Sequence, residues 1–361
     1  MIPLNNVLCD KGANADVLAA TVCVLESGRY VAGEKVAKFE EAWAHYCGAD
    51  YCAGVASGGA ALTLTLRALQ VPPGARVIVP ALTFAATGMA VLEAGAQPVF
   101  CDVDEHGLMD VNDAARVAED CRPWGIVPVH LYGQLADMEA VTGLAARHNM
   151  YVIEDAAQAH GALREVSGIA ACFSFYPGKN LGACGEAGAV VSHDASVIAR
   201  VKRVANYGDA PGRKHQHLLL GGNYRMDELQ AAILYAKLPF LNIWNAVRKQ
   251  AAQHYRDNGV ESIATDEGHE CSWHLYPTRV KGEPEVYRNQ LAERGISTGR
   301  HYPKLLPEIP SLFQPGFWPN ALQIARNHIS LPMGPHLTER DVDYISGHFL
   351  ELEDDQNIQE D

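Results

Sequence analysis

The sequence predicts an α/β fold in which a mainly parallel sheet is covered by helices on both faces and followed by a smaller C-terminal domain. Short apolar runs of strand length alternate with helical patterns over residues 51–192, and most of these runs end in polar or small residues. Beyond about residue 264 this alternation is lost. Because strand-helix-strand units pair in parallel through right-handed crossovers, we expect a large domain over residues 1–240 and a small one over residues 241–361.

Composition sets the broad class of the protein. The chain has 361 residues, of which 48% are hydrophobic, so it can bury a large core. The formal net charge of −14 argues against a nucleic-acid-binding surface. No apolar run reaches membrane-spanning length, and the N-terminus lacks a secretory pattern. The nine cysteines include no Cys-x-x-Cys pair, so we expect reduced thiols, no metal site and a cytoplasmic location.

The first elements are two predicted helices, over residues 15–26 and 39–46, joined by a glycine-bearing segment. A short strand from Cys52 then leads into the turn Ser57-Gly58-Gly59 and an apolar helix over residues 60–69. Amides at the start of a helix point outward with the positive end of its dipole, which suits a phosphate. This turn therefore indicates either a phosphate site or glycines that serve turn geometry alone.

The next elements are βα units. The predicted strands span residues 76–80, 97–102 and 125–130, and the helices span residues 85–94 and 138–149. Phe84 follows the first of these strands, where it could pack in the core or stack on a flat ring. His130, at the end of the third strand, could be a hydrogen-bonded interior histidine or a site residue.

Two polar residues at neighbouring strand ends form the predicted active centre. The apolar run 151–153 leads to Asp155, and the run 170–175 ends in a turn at Pro177 that presents Lys179. Ligands of open α/β sheets bind at the carboxyl ends of the strands, so both residues face one crevice. Taken singly, Asp155 is compatible with a helix cap and Lys179 with a solvated loop. Together they suit pyridoxal 5'-phosphate (PLP), which needs a lysine for a Schiff base and a carboxylate for its pyridinium nitrogen.

This segment contains Asp155-Ala-Ala-Gln158-Ala-His160-Gly161, then Phe173-Ser174-Phe175, Lys179 and Gly185-Glu186-Ala187-Gly188. It resembles the DegT/DnrJ/StrS family of PLP-dependent nucleotide-sugar aminotransferases, whose pattern is close to D-A-A-Q-A-x-G followed by F-S-F-x-x-x-K-x-x-x-x-G-x-G-G. The resemblance implies the aspartate aminotransferase-like fold, which is fold type I of the PLP-dependent transferases.

The resemblance also implies the cofactor contacts. Lys179 would bind PLP and then, as a free amine, move a proton between the donor Cα and the cofactor, while Asp155 would keep the ring nitrogen charged. The other implied cofactor-binding residues are Gln158 at the phenolic oxygen, Phe84 on the ring face, and Ser57, Gly58, Gly59 and Ser174 at the phosphate. Gly59 stands where the family has threonine, so one hydroxyl contact to the phosphate is absent.

Three further matches imply substrate contacts. They are an S-G-x-Y-x-x-G pattern over residues 27–33, which we call the entrance loop, a G-x-N-x-R-M-x-x-x-Q-A-A pattern from Gly221, and an H-Y-P triplet near residue 301. The basic loop over residues 208–215, which precedes the second match, is either a diphosphate site or a solvated turn. The substrate-binding residues that follow are Tyr30, Arg213, Lys214, Arg225, His301 and Tyr302.

Asn223 carries the prediction of a homodimer with shared active sites. In the family this asparagine reaches the cofactor phosphate of the neighbouring protomer. Local sequence is equally compatible with a helix cap, because one helix is predicted from Asp227 through residue 246 and beyond. One departure from the family lies upstream, where the connection 162–168 is shorter than the usual hairpin.

The resemblance implies an aminotransferase that moves an amino group from glutamate or glutamine to a keto sugar, as a nucleotide-diphospho-keto-deoxysugar or a keto-cyclitol. Two alternatives are a sugar dehydratase, in which a histidine replaces the lysine, and a regulatory protein on the same scaffold. The presence of Lys179 argues against the first, and the retention of both Lys179 and Asp155 argues against the second.

Overall fold

The computed structural model describes residues 1–7, 11–210, 212–265 and 270–360, and a seven-stranded sheet lies at its centre. In chain order its strands are β1 (Tyr51–Val55), β2 (Arg76–Pro80), β3 (Gln97–Cys101), β4 (Gly125–Ile126), β5 (Tyr151–Asp155), β6 (Ala170–Ser174) and β7 (Gly188–Ser192). They are arranged in the order β1-β7-β6-β5-β4-β2-β3. Neighbours from β3 to β6 pair in parallel, whereas β7 is antiparallel to both β6 and β1. The predicted mainly parallel sheet is confirmed.

Helices pack on both faces of this sheet. The helices are α1 (Lys11–Ser27), α2 (Glu34–Tyr46), α3 (Gly58–Ala68), α4 (Ala85–Glu93), α5 (Val111–Cys121), α6 (Met138–His148), α7 (Ala195–Ala205), α8 (Glu228–Lys237), α9 (Leu241–Asp257), α10 (Pro284–Glu293), α11 (Pro319–Arg326) and α12 (Glu339–Glu360). Val77 and Val79 of β2 join an apolar cluster with α3, α4 and α7, whereas Ile78 between them joins a cluster with α5 and α6. Since successive strand side chains point to opposite faces, apolar residues at all three positions require cover on both faces.

The strand predicted over residues 125–130 is shorter than expected. β4 ends at Ile126, and a 3-10 turn over Leu131–Gly133 follows. Pro128 has no N–H to donate to a neighbouring strand, which ends the regular pairing of β4. Its carbonyl still accepts from the Asp155 N–H of β5 at 2.9 Å. The chain nevertheless remains beside β5, because the His130 N–H donates to the Asp155 carbonyl at 3.0 Å.

The C-terminal part has a small sheet of its own, formed by the antiparallel strands β10 (Tyr276–Arg279) and β11 (His328–Leu331). The first residues of the chain pack here, since the Ile2 N–H donates to Gly295 and the Leu4 carbonyl accepts from Met333. The predicted boundary near residue 240 stays a prediction.

Two predicted elements differ in the structure. The basic loop is a hairpin of β8 (Asp209–Ala210) and β9 (Arg213–His217) rather than an irregular turn. The long helix predicted from Asp227 is divided into α8 and α9 by a 3-10 turn over Leu238–Phe240. The division falls at Pro239, which cannot donate the hydrogen bond that an uninterrupted helix requires.

The connection between β5 and β6 is made of turns. The Glu154 carboxylate holds it, because Oε1 accepts from the N–H groups of Ser167 at 2.8 Å and Gly168 at 2.7 Å. Among the described helices none is long and apolar enough to cross a membrane. The eight cysteines in the described ranges are free thiols, and the cytoplasmic location stays a prediction.

Candidate active site

Asp155 lies at the carboxyl end of β5 with only 5% of its surface exposed. Its Oδ2 accepts a hydrogen bond from Thr87 Oγ1 at 2.8 Å, and its Oδ1 accepts from the Ala157 N–H at 3.1 Å. Burial raises the pKa of Asp155, against the opposing effects of these two bonds and of the Lys179 charge. An ionised carboxylate can accept about four hydrogen bonds, so Asp155 retains capacity for a cationic partner in the crevice.

Lys179 follows the Pro177 turn, where its own N–H donates to the Tyr176 carbonyl at 2.8 Å. The side chain is partly buried, and no other described residue forms a hydrogen bond or ion pair with its Nζ. Burial lowers the pKa of Lys179 to about 8, although the Asp155 charge opposes that shift. The charges of Asp155 and Lys179 therefore influence one another, and a pKa near 8 leaves about a tenth of the amine unprotonated at pH 7.

The start of α3 lies directly against the end of β6. A Cβ placed on Gly58 would lie 2.6 Å from the Ser174 Cβ, so only glycine allows this approach. Ser57 caps α3, with its Oγ accepting from the Ala60 N–H at 3.1 Å. The first intrahelical bond of α3 runs from the Ala61 N–H to the Ser57 carbonyl at 2.9 Å, so the amides of Gly58 and Gly59 have no intrahelical acceptor and remain available to a ligand. The four residues predicted at the phosphate are thus adjacent, as a helix-start anion site requires, and the phosphate contact itself stays a prediction.

Gln158 connects the sheet to the C-terminal part. Its Oε1 accepts from the Tyr132 N–H at 2.6 Å, and its Nε2 donates to the Tyr302 hydroxyl at 3.1 Å. The Phe84 ring, which is 57% exposed, lies 5.7 Å from the Tyr302 ring. Burial also raises the pKa of Tyr302. Gln158 and Phe84, both predicted to contact the cofactor ring, are therefore brought together by Tyr302, which was predicted to bind substrate.

His301 lies just behind Tyr302. Its Nδ1 is 2.8 Å from Ser330 Oγ, its N–H donates to His328 Nε2 at 3.0 Å, and its carbonyl accepts from the Tyr132 hydroxyl at 2.7 Å. Burial lowers the pKa of His301 to about 4, so the ring is neutral at pH 7. Tyr132, which the sequence did not single out, thus joins the Gln158 and His301 segments.

Of the remaining predicted residues, Arg225 lies beside the Ser57 turn through its main chain, which bridges Val55, and the Ala56 N–H donates to the Tyr224 carbonyl at 2.8 Å. No hydrogen bond among the described residues joins the side chain of Tyr30, Asn223 or Arg225 to Asp155 or Lys179. Tyr30 is 51% exposed, and Asn223 is exposed with no side-chain hydrogen bond in the described part of the chain. Arg225 Nη1 donates to Asn206 Oδ1 beside the Tyr207 ring. Arg213 and Lys214 belong to β9; their side chains lie outside the described set.

The helix-cap alternative for Asn223 is wrong. The N-cap of α8 is Asp227, whose side chain accepts from the Gln230 N–H at 2.8 Å. The main chain of Asn223 instead forms an isolated antiparallel bridge with Asn206.

His130 proves to be a hydrogen-bonded interior histidine. Its Nδ1 accepts from the Ala136 N–H at 3.0 Å, so its Nε2 carries the proton and donates to Glu154 Oε2 at 2.9 Å. Both side chains are fully buried. This pair fixes the strand end below Asp155 and presents no group to the crevice.

A buried polar network holds the residue that follows Lys179. Asn180 Nδ2 donates to Asn245 Oδ1 at 2.9 Å and to the Ser272 carbonyl at 2.8 Å, and Asn180 Oδ1 is 3.1 Å from His274 Nδ1. Burial, followed by the Lys179 charge, lowers the pKa of His274 well below its usual value. Asn180 directly follows Lys179 in the motif quoted above, which was the available sequence signal for this network. Within the described ranges no three His, Cys, Asp or Glu side chains are grouped to hold a metal ion.

Comparisons with known proteins agree with this geometry. A family model described as the DegT/DnrJ/EryC1/StrS aminotransferase family matches residues 13–349. The dTDP-3-amino-3,4,6-trideoxy-alpha-D-glucose transaminase of Streptomyces venezuelae is 41% identical over 340 residues, covering 90% of this chain and 88% of that protein. The crystal structure of S. venezuelae DesV in complex with a ketimine intermediate has a TM-score of 0.91 at 38% identity, covering 97% of this chain and 98% of that one. NtdA from Bacillus subtilis with bound cofactor PMP has a TM-score of 0.87 at 27% identity, covering 96% and 82%.

Proposed function

The chain belongs to the DegT/DnrJ/EryC1/StrS aminotransferase family, and from that premise we propose that it transfers an amino group from glutamate or glutamine to the C3 keto group of a nucleotide-diphospho-deoxysugar. The observation that carries this proposal is the interaction between Asp155 and Lys179, together with the close approach of Gly58 to Ser174 at the start of α3. The name of the similar S. venezuelae transaminase, a dTDP-3-amino sugar enzyme, supports the sugar class and the carbon.

The residues present fit PLP. Gly58 and Gly59 supply helix-start amides to a phosphate, and the contact of Gly58 with Ser174 leaves no room for any larger residue between them. Asp155 has unfilled acceptor capacity for a ring N–H, and Gln158 Nε2 keeps one hydrogen beyond its bond to Tyr302. When bound, PLP supplies the electron sink that stabilises negative charge on the carbon bearing the amine.

Lys179 is the proposed base. Its Nζ would hold the cofactor, and as a free amine it would accept the proton from the donor's α-carbon and carry it within the site. A pKa of about 8 keeps part of this amine unprotonated near neutral pH. Asp155 would hold the proton on the ring nitrogen, and Thr87 and the Ala157 N–H fix the direction of its carboxylate.

The sugar and its diphosphate require more contacts than this crevice offers. We assign the sugar to Tyr302, His301 and the entrance loop with Tyr30, and the diphosphate to Arg225 and the β8–β9 hairpin with Arg213 and Lys214. The positive residues suit a diphosphate because guanidinium groups bind phosphate oxygens in pairs. Tyr302 is the best supported of these assignments, because it contacts both Gln158 and Phe84.

The active unit is proposed to be a homodimer with shared sites. Asn223 supports this, because its side chain is exposed and it does not cap α8. Its amide is therefore available to a phosphate in the neighbouring subunit, and a closed two-fold pair places both copies equivalently. Residues 241–361 are proposed as the smaller domain over the crevice, and Tyr302 and Ser272 from this part both contact Gln158.

The direct test is a panel assay. Purified enzyme is incubated with PLP, glutamate or glutamine, and dTDP- and UDP-linked 3-keto and 4-keto sugars together with a keto-cyclitol, and products are identified by mass spectrometry. We expect amination of a 3-keto nucleotide sugar. Asp155→Asn is the matched control, because it preserves shape and cofactor binding while transamination falls by orders of magnitude. Turnover of no keto compound, or a control of wild-type rate, would refute the proposal.

A further inference from the structure

Glu228, in the first turn of α8, has a buried carboxylate that serves a different helix. Its Oε1 accepts from the N–H groups of Gly33 at 2.8 Å and Val36 at 3.0 Å, and its Oε2 accepts from the Lys35 N–H at 2.8 Å. The side chain is only 3% exposed. These amides form the start of α2, whose N-cap Gly33 has no side chain to satisfy them. Glu228 therefore acts as the missing cap and opposes the positive end of the α2 dipole.

The same turn of α8 holds the entrance loop. The Glu228 N–H donates to the Tyr30 carbonyl at 2.9 Å, and Val31 forms an antiparallel bridge with Asp227. A Cβ on Gly33 would lie 2.6 Å from Glu228 Oε2, so this approach requires glycine. Among the described residues, the Tyr30 hydroxyl forms one hydrogen bond, a long one of 3.4 Å to the Leu25 carbonyl of α1. The position of Tyr30 is consequently set through its main chain by α8.

Helix α8 also holds the segment that follows Lys179. Gln230 Oε1 accepts from the Cys184 N–H at 2.9 Å, and the buried Lys237 Nζ donates to the Gly182 carbonyl at 2.7 Å. These contacts do not involve Glu228. One rigid helix thus fixes the entrance loop and the lysine segment through separate side chains.

We propose that Glu228 is a positioning residue for the acceptor half of the reaction: its carboxylate fixes the entrance loop so that Tyr30 meets the keto sugar. This inference rests on the proposed function. The amino donor reacts at Lys179, whose segment is held by Gln230 and Lys237, so the donor half does not need Glu228. Hydrogen bonds to a buried carboxylate are among the stronger ones in proteins, and without them three amides lose their partner.

The test measures the two half-reactions separately, from the absorbance change of the bound cofactor with glutamate and then with the keto sugar. In Glu228→Gln, one of the two accepting oxygens is replaced by an NH₂ group, which cannot accept a hydrogen bond and faces a backbone N–H of α2. We expect kcat/KM for the sugar to fall about tenfold or more, mainly through KM, while the donor half stays within about twofold. Gly33→Ala places a Cβ against the Glu228 carboxylate and so disturbs the same contact. It is the second variant to be measured if Glu228→Gln does not fold.

A second readout does not depend on activity. Arg29 is exposed in the entrance loop, so trypsin cleavage after Arg29 reports release of the loop, and we expect faster cleavage in Glu228→Gln and Gly33→Ala. Asp227→Ala is the control, because it removes the α8 cap on Gln230 and leaves the Glu228 contacts in place. Equal losses in both half-reactions, or unchanged cleavage, would overturn the role of Glu228 alone. A wild-type enzyme that reacts with glutamate but with no keto sugar would overturn the proposed function instead.

Discussion

The hydroxyl of Thr87 donates a hydrogen bond to Asp155 Oδ2 across 2.8 Å and thereby joins α4 to the carboxyl end of β5 at the base of the crevice. Thr87 is itself 3.2 Å from the Thr83 hydroxyl, and both threonines are buried. This bond occupies one lone pair of the carboxylate and lowers the pKa of Asp155, while burial raises it. Thr87 consequently adjusts both the direction and the charge of the residue proposed to hold the cofactor ring.

Replacement of Thr87 by valine keeps the volume and removes this bond, so the pKa of Asp155 rises further. Because the proposed role requires an ionised Asp155, the acidic limb of the pH-rate profile of the donor half-reaction moves to higher pH. Thr87→Ser keeps a hydroxyl and is the matched control. Loss of this hydrogen bond to an ionised carboxylate costs about 1.5–3 kcal/mol. An acidic limb that stays in place, or moves to lower pH, would contradict this account.

Burial of the charged Lys179 amine destabilises the folded protein, and replacement by methionine measures that destabilisation. The pKa falls from 10.5 in the free side chain to about 8 in the fold, so between these values the unfolded chain binds more protons than the folded one. The destabilisation by the buried, protonated amine is fully present below pH 8, and it disappears above pH 10.5. Cofactor-free Lys179→Met is therefore more stable than the wild type at pH 7, by roughly 1–3 kcal/mol.

Urea unfolding of the cofactor-free proteins at several pH values tests the burial cost of Lys179. The stability difference between Lys179→Met and the wild type shrinks as the pH rises from 8 to 10.5. A difference that is independent of pH would show that the gain comes from packing of the methionine and not from the amine.

An added side chain is expected to strengthen PLP binding at position 59 and to weaken it at position 58. A Cβ on Gly59 has its nearest neighbour at 3.6 Å, on Ala86, whereas one on Gly58 would lie 2.6 Å from the Ser174 Cβ. Gly59→Ser therefore fits and adds a hydroxyl at the proposed phosphate site, so the dissociation constant of PLP decreases severalfold. Gly58→Ala separates α3 from β6 and weakens PLP binding. Fluorescence titration with PLP measures both, and weaker binding by Gly59→Ser would place the phosphate elsewhere.

Mixing two inactive variants tests the shared site. Lys179→Ala removes the proposed base, and Asn223→Asp places a negative charge where the amide is expected to meet a phosphate. If Asn223 acts in the neighbouring subunit, a mixed dimer contains one site with both lesions and one intact site, so activity returns. The regained activity approaches a quarter of the wild-type value, from half of the dimers with one site each, given random exchange and equal subunits. No recovery, despite verified subunit exchange, would place Asn223 in the site of its own chain.

Much of the fold and the centre of the site follow from the sequence. The strands ending at Asp155 and before Lys179 were predicted because alternation of strand and helix is a local pattern, and parallel strands present their carboxyl ends at one edge. Some local features were nevertheless missed. The division between α8 and α9 falls at a proline that the sequence displays, and Pro128 likewise limits β4.

Other contacts were decided only by tertiary structure. Thr87 and Asp155 are 68 positions apart in the chain, and Glu228 and Gly33 are 195 apart. Neither pair carries a local signature, since a threonine in an apolar helix and a glutamate in a first turn are common in any helical protein. The sequence by itself determined which elements form, because their hydrophobic periods are read over a few residues. Which side chains meet at the crevice was decided by the packing of those elements, because hydrogen bonds need donor and acceptor within about 3 Å and only the folded chain sets that distance.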